Sequence, residues 1–281
     1  MRFTKVEGCG NHFILVDQTA HQLTAGEVPL DIFSSSQVRR LCDPNFGIGA
    51  DGVLRVRNIA PDDVHHQAHY EMVVYNADGS IAEMCGNGLR CVVSYLHHHY
   101  GLCTDSQSSS YIMTGAGSLR VSIDDHQQIG VRMGWPSPLI PQYAPKNHLP
   151  TELLSFYSLG NPHLVSFDLT HFSQRMSIAS EWERSIEGGI NISFAQLRSS
   201  HHVKLHVYER GCGWTLGCGT GACATVYHGY QAGFFLMDSS VSVELPGGLL
   251  SIDISDHGLT MWGEAHEVYR GSYLLPYEKS D

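Results

Sequence analysis

Lysine is scarce in this chain: Lys5, Lys146, Lys204 and Lys279 are the only four among 281 residues. A pyridoxal-dependent enzyme needs a Schiff-base lysine with a phosphate cradle, and none of the four stands beside a glycine-rich loop, which weighs against that chemistry. Positive charge is also short. With 17 basic against 28 acidic residues the formal charge is −11, a balance that repels nucleic acid and anionic membranes and excludes both as expected partners. No apolar run approaches the roughly 18 residues of a membrane span. The opening MRFTKVEGCGNHFILVD enters an alternating strand pattern without an apolar leader, so a cytoplasmic location is expected. The eight cysteines contain no Cys-x-x-Cys pair. Reduced thiols are therefore the expectation, and the close ligand pairs of a structural zinc site are missing, so no metal is expected.

What the chain does have is a repeat. Gly10-Asn11-His12-Phe13 runs into the apolar stretch 14–17, and Gly160-Asn161-Pro162-His163 runs into 164–168. Later in each half a strand ends on a polar residue, Asn76 or Glu209, and nine positions on comes a Cys-Gly-x-Gly turn, Cys85-Gly86-Asn87-Gly88 and Cys218-Gly219-Thr220-Gly221. Each turn opens a nearly uncharged segment of helical length. A helix apolar nearly all round belongs inside a domain, which predicts two halves, each with strands wrapped about a central helix. The remaining signals are strand-like, at 119–123, 129–133, 241–245 and 249–252. The fold class is α+β, with domains expected at 1–118 and 119–266. Pro136, Pro138, Pro141, Pro145 and Pro150 mark an irregular stretch. His97-His98-His99 is read as a solvated helix end rather than a metal site.

A cysteine placed before a glycine-rich turn that starts a helix lies near unpaired backbone N–H groups and the positive end of the helix dipole, a setting that favours thiolate. The glycines let the same amides approach a bound carboxylate. Two such turns surround a small anionic ligand with a thiol on either side. One thiolate then takes the α-proton of an amino acid while the other thiol protonates the opposite face, and inversion needs no cofactor. A single Cys-Gly turn is more often a packed thiol; the duplication favours Cys85 and Cys218 as an acid–base pair. Cys91 and Cys223 fall inside the apolar helices and read as core.

The motifs GNHFILVD, GIGADGVL, YNADGSIAEMCGNGLRC, LGNPHLVSFD, INISF and YERGCGWTLGCGTGACA, in this order, resemble the diaminopimelate epimerase family over nearly the whole length. The resemblance implies two similar β-barrel-like domains, each around a central helix, an active site in the cleft between them, and a final segment, about 267–281, that returns to the first domain. It implies cofactor-independent interconversion of LL- and meso-2,6-diaminopimelate, feeding lysine and peptidoglycan synthesis, by a homodimer with Tyr269 at its contact. Cys85 and Cys218 match the catalytic pair, Gly86, Asn87, Gly219 and Thr220 the carboxylate cradle, and Asn11, Asn76, Asn161, Asn191, Glu209 and Arg210 the substrate-holding positions. His163 and Glu209 match residues that tune the two thiols. Departures from the family pattern are His12, Pro44, Trp214, Gly217 (usually alanine) and Trp262-Gly263-Glu264, with Trp214 and the 262–264 turn expected to bear on substrate range and pH behaviour. A racemase of another amino acid and a non-catalytic amino-acid-binding protein remain as competing readings.

Overall fold

The computed structural model describes residues 1–19, 33–59, 68–103, 109–139 and 154–274. Pro141, Pro145 and Pro150 lie outside them. The first stretch of chain forms β1 (Arg2–Gly8), β2 (Asn11–Asp17), α1 (Ser35–Cys42), β3 (Gly52–Asn58), β4 (Tyr70–Asn76), β5 (Ile81–Ala82), α2 (Gly86–Tyr100), β6 (Ser109–Thr114), β7 (Gly117–Ile123), β8 (Ile129–Gly134) and β9 (Ser137–Pro138). The second forms β10 (Ser155–Ser158), β11 (Pro162–Ser166), α3 (Leu169–Ser185), β12 (Asn191–Ser199), β13 (His202–Glu209), β14 (Gly213–Thr215), α4 (Gly219–Gln231), β15 (Ser240–Leu245), β16 (Gly248–Ser255), β17 (Gly258–Gly263) and β18 (His266–Ser272).

The pairing order repeats. β2 runs parallel to β3, β3 antiparallel to β4, and β4 antiparallel to β5 and parallel to β6. β11 runs parallel to β12, β12 antiparallel to β13, and β13 antiparallel to β14 and parallel to β15. The chain divides into two compact units, one of Met1–Gly8, His12–Arg120 and Ala265–Asp281, the other of Cys9–Asn11 and Val121–Glu264.

In the first unit β18 pairs antiparallel with β1. Strands β1 to β3 carry near-continuous buried runs, as expected where both faces of a sheet are covered. On one face Ile14, Val16 and Val53 pack with Val38, Leu41 and Cys42 of α1. Helix α2 packs against β1, β3, β4 and β18, and its Leu89, Cys91, Val92, Val93 and Leu96 are fully buried. Each such aliphatic side chain contributes about 1.5–3 kcal/mol of burial.

The second unit uses the same layering. Leu164, Ile192 and Phe194 point to Ala179 and Trp182 of α3, while Val165 packs on Ala224 of α4. Because side chains alternate along a strand, His163 shares the α4 face with Val165. The uncharged segments after the two cysteines are thus helices in their respective cores, and Cys91 and Cys223 are buried in them.

Helices α1 and α3 correct the expectation that the rest of the chain is strand. Both follow from parallel pairing, since β2 to β3 and β11 to β12 each need a crossover connection. Each also carries a cap: Ser34 and Gln37 form a capping box, and the Asp168 carboxylate accepts from the Thr170 and His171 N–H groups. The histidine run ends α2, with His98 exposed and His97 and His99 partly buried. His97 and His98 bond to the carbonyls of Leu102 and Ser94, and His99 Nε2 lies 2.6 Å from Glu267 Oε1.

Candidate active site

Each half of the repeat delivers a cysteine to the N-cap of its central helix. In the first unit β4 ends at Asn76, which is exposed and donates its Nδ2–H to Ser80 Oγ at 3.0 Å. Nine residues on, Cys85 takes an extended conformation (φ −139°, ψ 111°) and its sulfur accepts the Gly88 N–H at 3.4 Å. A Cβ at Gly88 would lie 2.9 Å from Leu54 Cδ2, so the turn sits tight against β3. Gly86 and Asn87 are buried at the start of α2, where first-turn N–H groups lack helical partners. Asn87 Oδ1 accepts from the buried Arg90 guanidinium at 3.0 Å.

The second unit gathers more of the sequence-derived residues. Cys218 caps α4, with Gly219 and Thr220 in its buried first turn. The Cys218 thiol donates to Glu209 Oε2 at 3.3 Å and lies 3.5 Å from Thr220 Oγ1. Asn161 Nδ2 donates to Thr220 Oγ1 at 3.3 Å, and Asn161 Oδ1 lies 3.0 Å from His163 Nε2. A continuous chain of polar contacts therefore runs from His163 through Asn161 and Thr220 to Cys218 and Glu209.

Two residues expected to hold substrate are engaged with the protein. Asn191, paired with His163 across β11 and β12, accepts the Arg210 N–H on Oδ1 at 3.0 Å and donates to the Pro162 carbonyl at 3.1 Å. This fixes the chain at Arg210, whose exposed guanidinium donates to the Gly188 carbonyl. Asn11 belongs to this unit through the turn Cys9-Gly10, where both residues have positive φ (55° and 80°), the geometry of a tight two-residue hairpin. A Cβ at Gly10 would lie 2.9 Å from Leu216 Cβ, and one at Gly217 would lie 2.4 Å from the Cys9 carbonyl oxygen. The glycine standing in place of alanine before Cys218 is explained by that close approach.

The electrostatics set the state of the second sulfur. A helix start alone favours thiolate, but burial pushes the Cys218 thiol well above its ordinary range and the Glu209 carboxylate adds to the push. Cys218 is therefore a thiol, and a donor. His163 is driven the other way: burial, with Arg210's charge adding, lowers it to about 3. It is neutral at ordinary pH, and any tuning it exerts is that of a neutral hydrogen-bonding ring.

The unusual tryptophans have structural partners. Trp214 packs on Phe194 and Tyr208 in the cluster under α3. Trp262 donates its indole N–H to Asp253 Oδ2 at 2.7 Å, and a Cβ at Gly130 would meet its ring at 2.6 Å. Thr215, which no motif singled out, donates its hydroxyl to Glu209 Oε1 at 2.6 Å. Its signal in the sequence was position: it closes the short hairpin between the polar strand end and the cysteine turn. Among the described residues no group of three or more His, Cys, Asp or Glu side chains is placed to hold a metal ion.

A family model described as diaminopimelate epimerase matches residues 3–138 and 156–271. A curated diaminopimelate epimerase from Teredinibacter turnerae is 35% identical, with 98% of this chain and 99% of the relative covered. Among solved structures, a hydroxyproline epimerase from Agrobacterium vitis aligns with a TM-score of 0.68 at 13% identity, covering 96% of this chain and 91% of that one. A phenazine biosynthesis protein from Bacillus anthracis aligns with a TM-score of 0.64 at 15% identity, covering 98% and 99%. At these identities the solved structures speak for the fold.

Proposed function

Because the chain belongs to the diaminopimelate epimerase family, we propose that it interconverts LL- and meso-2,6-diaminopimelate without a cofactor, using Cys85 and Cys218 as base and acid. The observation that carries this reading is the matched placement of two sulfurs, each at the N-cap of its unit's buried helix, with the Cys218 thiol also donating to the Glu209 carboxylate. A two-base inversion needs one sulfur as base and one as acid before substrate arrives, and that bond marks Cys218 as the acid.

In this reading the Cys85 thiolate removes the α-proton and Cys218 delivers a proton to the opposite face, after which the sulfurs have exchanged states. The N–H groups of Gly86, Asn87, Gly219 and Thr220, with the two helix dipoles, stabilise the negative charge that develops toward the α-carboxylate. Glu209 accepts a hydrogen bond from the Cys218 thiol and holds it as the acid. Arg210 supplies the cation for the distal carboxylate, and Asn11, Asn76 and Asn161 supply polar contacts for the amines and carboxylates. Asn191 contributes by fixing the Arg210 backbone. A cytoplasmic homodimer fits the family, with half-exposed Tyr269 and Val268 on β18 as its contact; a monomeric mass by light scattering would remove that part.

The test is to incubate reduced protein with LL-diaminopimelate in deuterated water and follow the α-proton signal by NMR. Exchange with inversion is expected in the wild type, with a loss of at least ~100-fold in Cys85→Ser and Cys218→Ser. No exchange in the reduced wild type, or full exchange in either variant, sinks the reading.

A further inference from the structure

Glu209 ends β13 and Thr215 ends β14, and the register of this hairpin pairs Val207 with Thr215 and Glu209 with Gly213. The turn thus folds the Thr215 hydroxyl back onto the carboxylate. Thr215 donates to Oε1 at 2.6 Å, a short charge-assisted bond, while Cys218 donates to Oε2 at 3.3 Å. One oxygen is anchored to a strand and the other is turned to the sulfur.

From this division of the carboxylate we infer that Thr215 is a positioning residue for the reaction: its hydroxyl fixes the Glu209 carboxylate, in ionised form, with Oε2 aimed at the Cys218 thiol. The inference rests on the reading of Cys218 as an acid–base group. A hydrogen bond donated to a carboxylate favours its charged form, so Thr215 keeps Glu209 from taking up the proton that Cys218 must hold. Charged and titratable neighbours of Glu209 include Cys218 at the start of α4 and the adjacent Arg210, whose charge also reaches His163 of β11. Glu183 of α3 reaches Gly189 beside the Arg210 stem. Thr215 is the hydroxyl donor that β14 contributes among them.

Thr215→Ser and Thr215→Ala differ by a single hydroxyl and add no volume, so they form the test pair, with Thr215→Val as an isosteric check. The pH profile of kcat/KM for each is compared with the wild type. Loss of the hydroxyl makes Glu209 easier to protonate, so activity that needs it ionised fails at higher pH as pH falls. Thr215→Ala and Thr215→Val are expected to move the acidic limb upward by at least half a pH unit and to lower kcat about tenfold with KM within twofold. Thr215→Ser is expected to keep the wild-type limb. A role in packing alone would lower activity evenly across pH, and coincident limbs in Ser and Ala variants would overturn the inference. If Cys218→Ser retains exchange with inversion, it is the two-thiol reading that has failed; if Cys218→Ser has lost inversion and the limbs coincide, only the role of Thr215 has.

Discussion

Gly217→Ala restores the residue usual in the family and is expected to destabilise this protein. The new Cβ would lie 2.4 Å from the Cys9 carbonyl oxygen, 2.9 Å from Cys9 Sγ and 3.2 Å from Cys9 Cβ. The first of these is backbone, so no rotamer relieves it. To reach a C···O separation of about 3.3 Å the Cys9 turn must retreat by about 0.9 Å, although its two positive-φ residues leave it little freedom. Overpacking of this kind costs about 1–3 kcal/mol. Against that, replacing glycine in the unfolded chain stabilises by about 0.4–1 kcal/mol. The net loss is about 1–2 kcal/mol, which at about 2–4 °C per kcal/mol lowers Tm by about 2–8 °C. Differential scanning calorimetry on wild type and variant measures it directly. Cys9→Gly in the same background removes the Sγ and Cβ contacts and frees the turn to move, so it should recover part of the loss. An unchanged or higher Tm in Gly217→Ala refutes the reasoning, because it means the turn yields without cost.

Other consequences are open to measurement. His163 has a folded pKa near 3, far below its unfolded value of about 6.5, so the unfolded state binds the extra proton and stability falls as pH drops below 6.5. This group contributes a slope of about 1.4 kcal/mol per pH unit, and urea unfolding at pH 7 and 5 should show it in wild type and not in His163→Gln; equal slopes would contradict it. Cys212 is exposed while Cys218 is buried and held as a thiol. Mass spectrometry after brief iodoacetamide treatment at pH 7.5 should therefore find Cys212 alkylated well before Cys218. Trp262→Phe removes the bond to Asp253 and should cost about 1 kcal/mol in chemical denaturation while leaving turnover of diaminopimelate within twofold. A large change in KM would instead place Trp262 at the substrate.

The repeat was legible because its marks are local. A glycine that needs positive φ before Asn161, a polar residue where β4 or β13 stops, and a cysteine at an N-cap all declare themselves within a few positions. Helix α3 did not, because only Ala179 and Trp182 along its length are buried, and the serines, histidine and charges spread along it blur the helical period. The parallel relation of β11 to β12 would have demanded it, but strand direction is not written in either strand. Which of the two sulfurs is held as the thiol was hidden for a similar reason. Helix position is visible in sequence, whereas full burial and an acceptor nine residues upstream are products of the folded hairpin. The packing of Trp214 and Trp262 was equally hidden, since Phe194 on β12 and Gly130 on β8 are distant in sequence, and which nearby side chain meets each ring depends on the hairpin register.

The pairing of β1 with β18 puts a clock on biosynthesis. Strand β1 is completed by a strand made about 260 residues later, with Lys5 facing Tyr269 and Arg2 facing Ser272. At a synthesis rate of about 5–20 residues per second the interval between them is about 15–50 s. During that time β1 presents an unpaired edge over a helix-bearing core that is otherwise ready to close, the kind of surface on which chains aggregate or recruit chaperones. The first unit, though made first, is finished last, and a chain cut short before residue 266 would lack the strand that seals it.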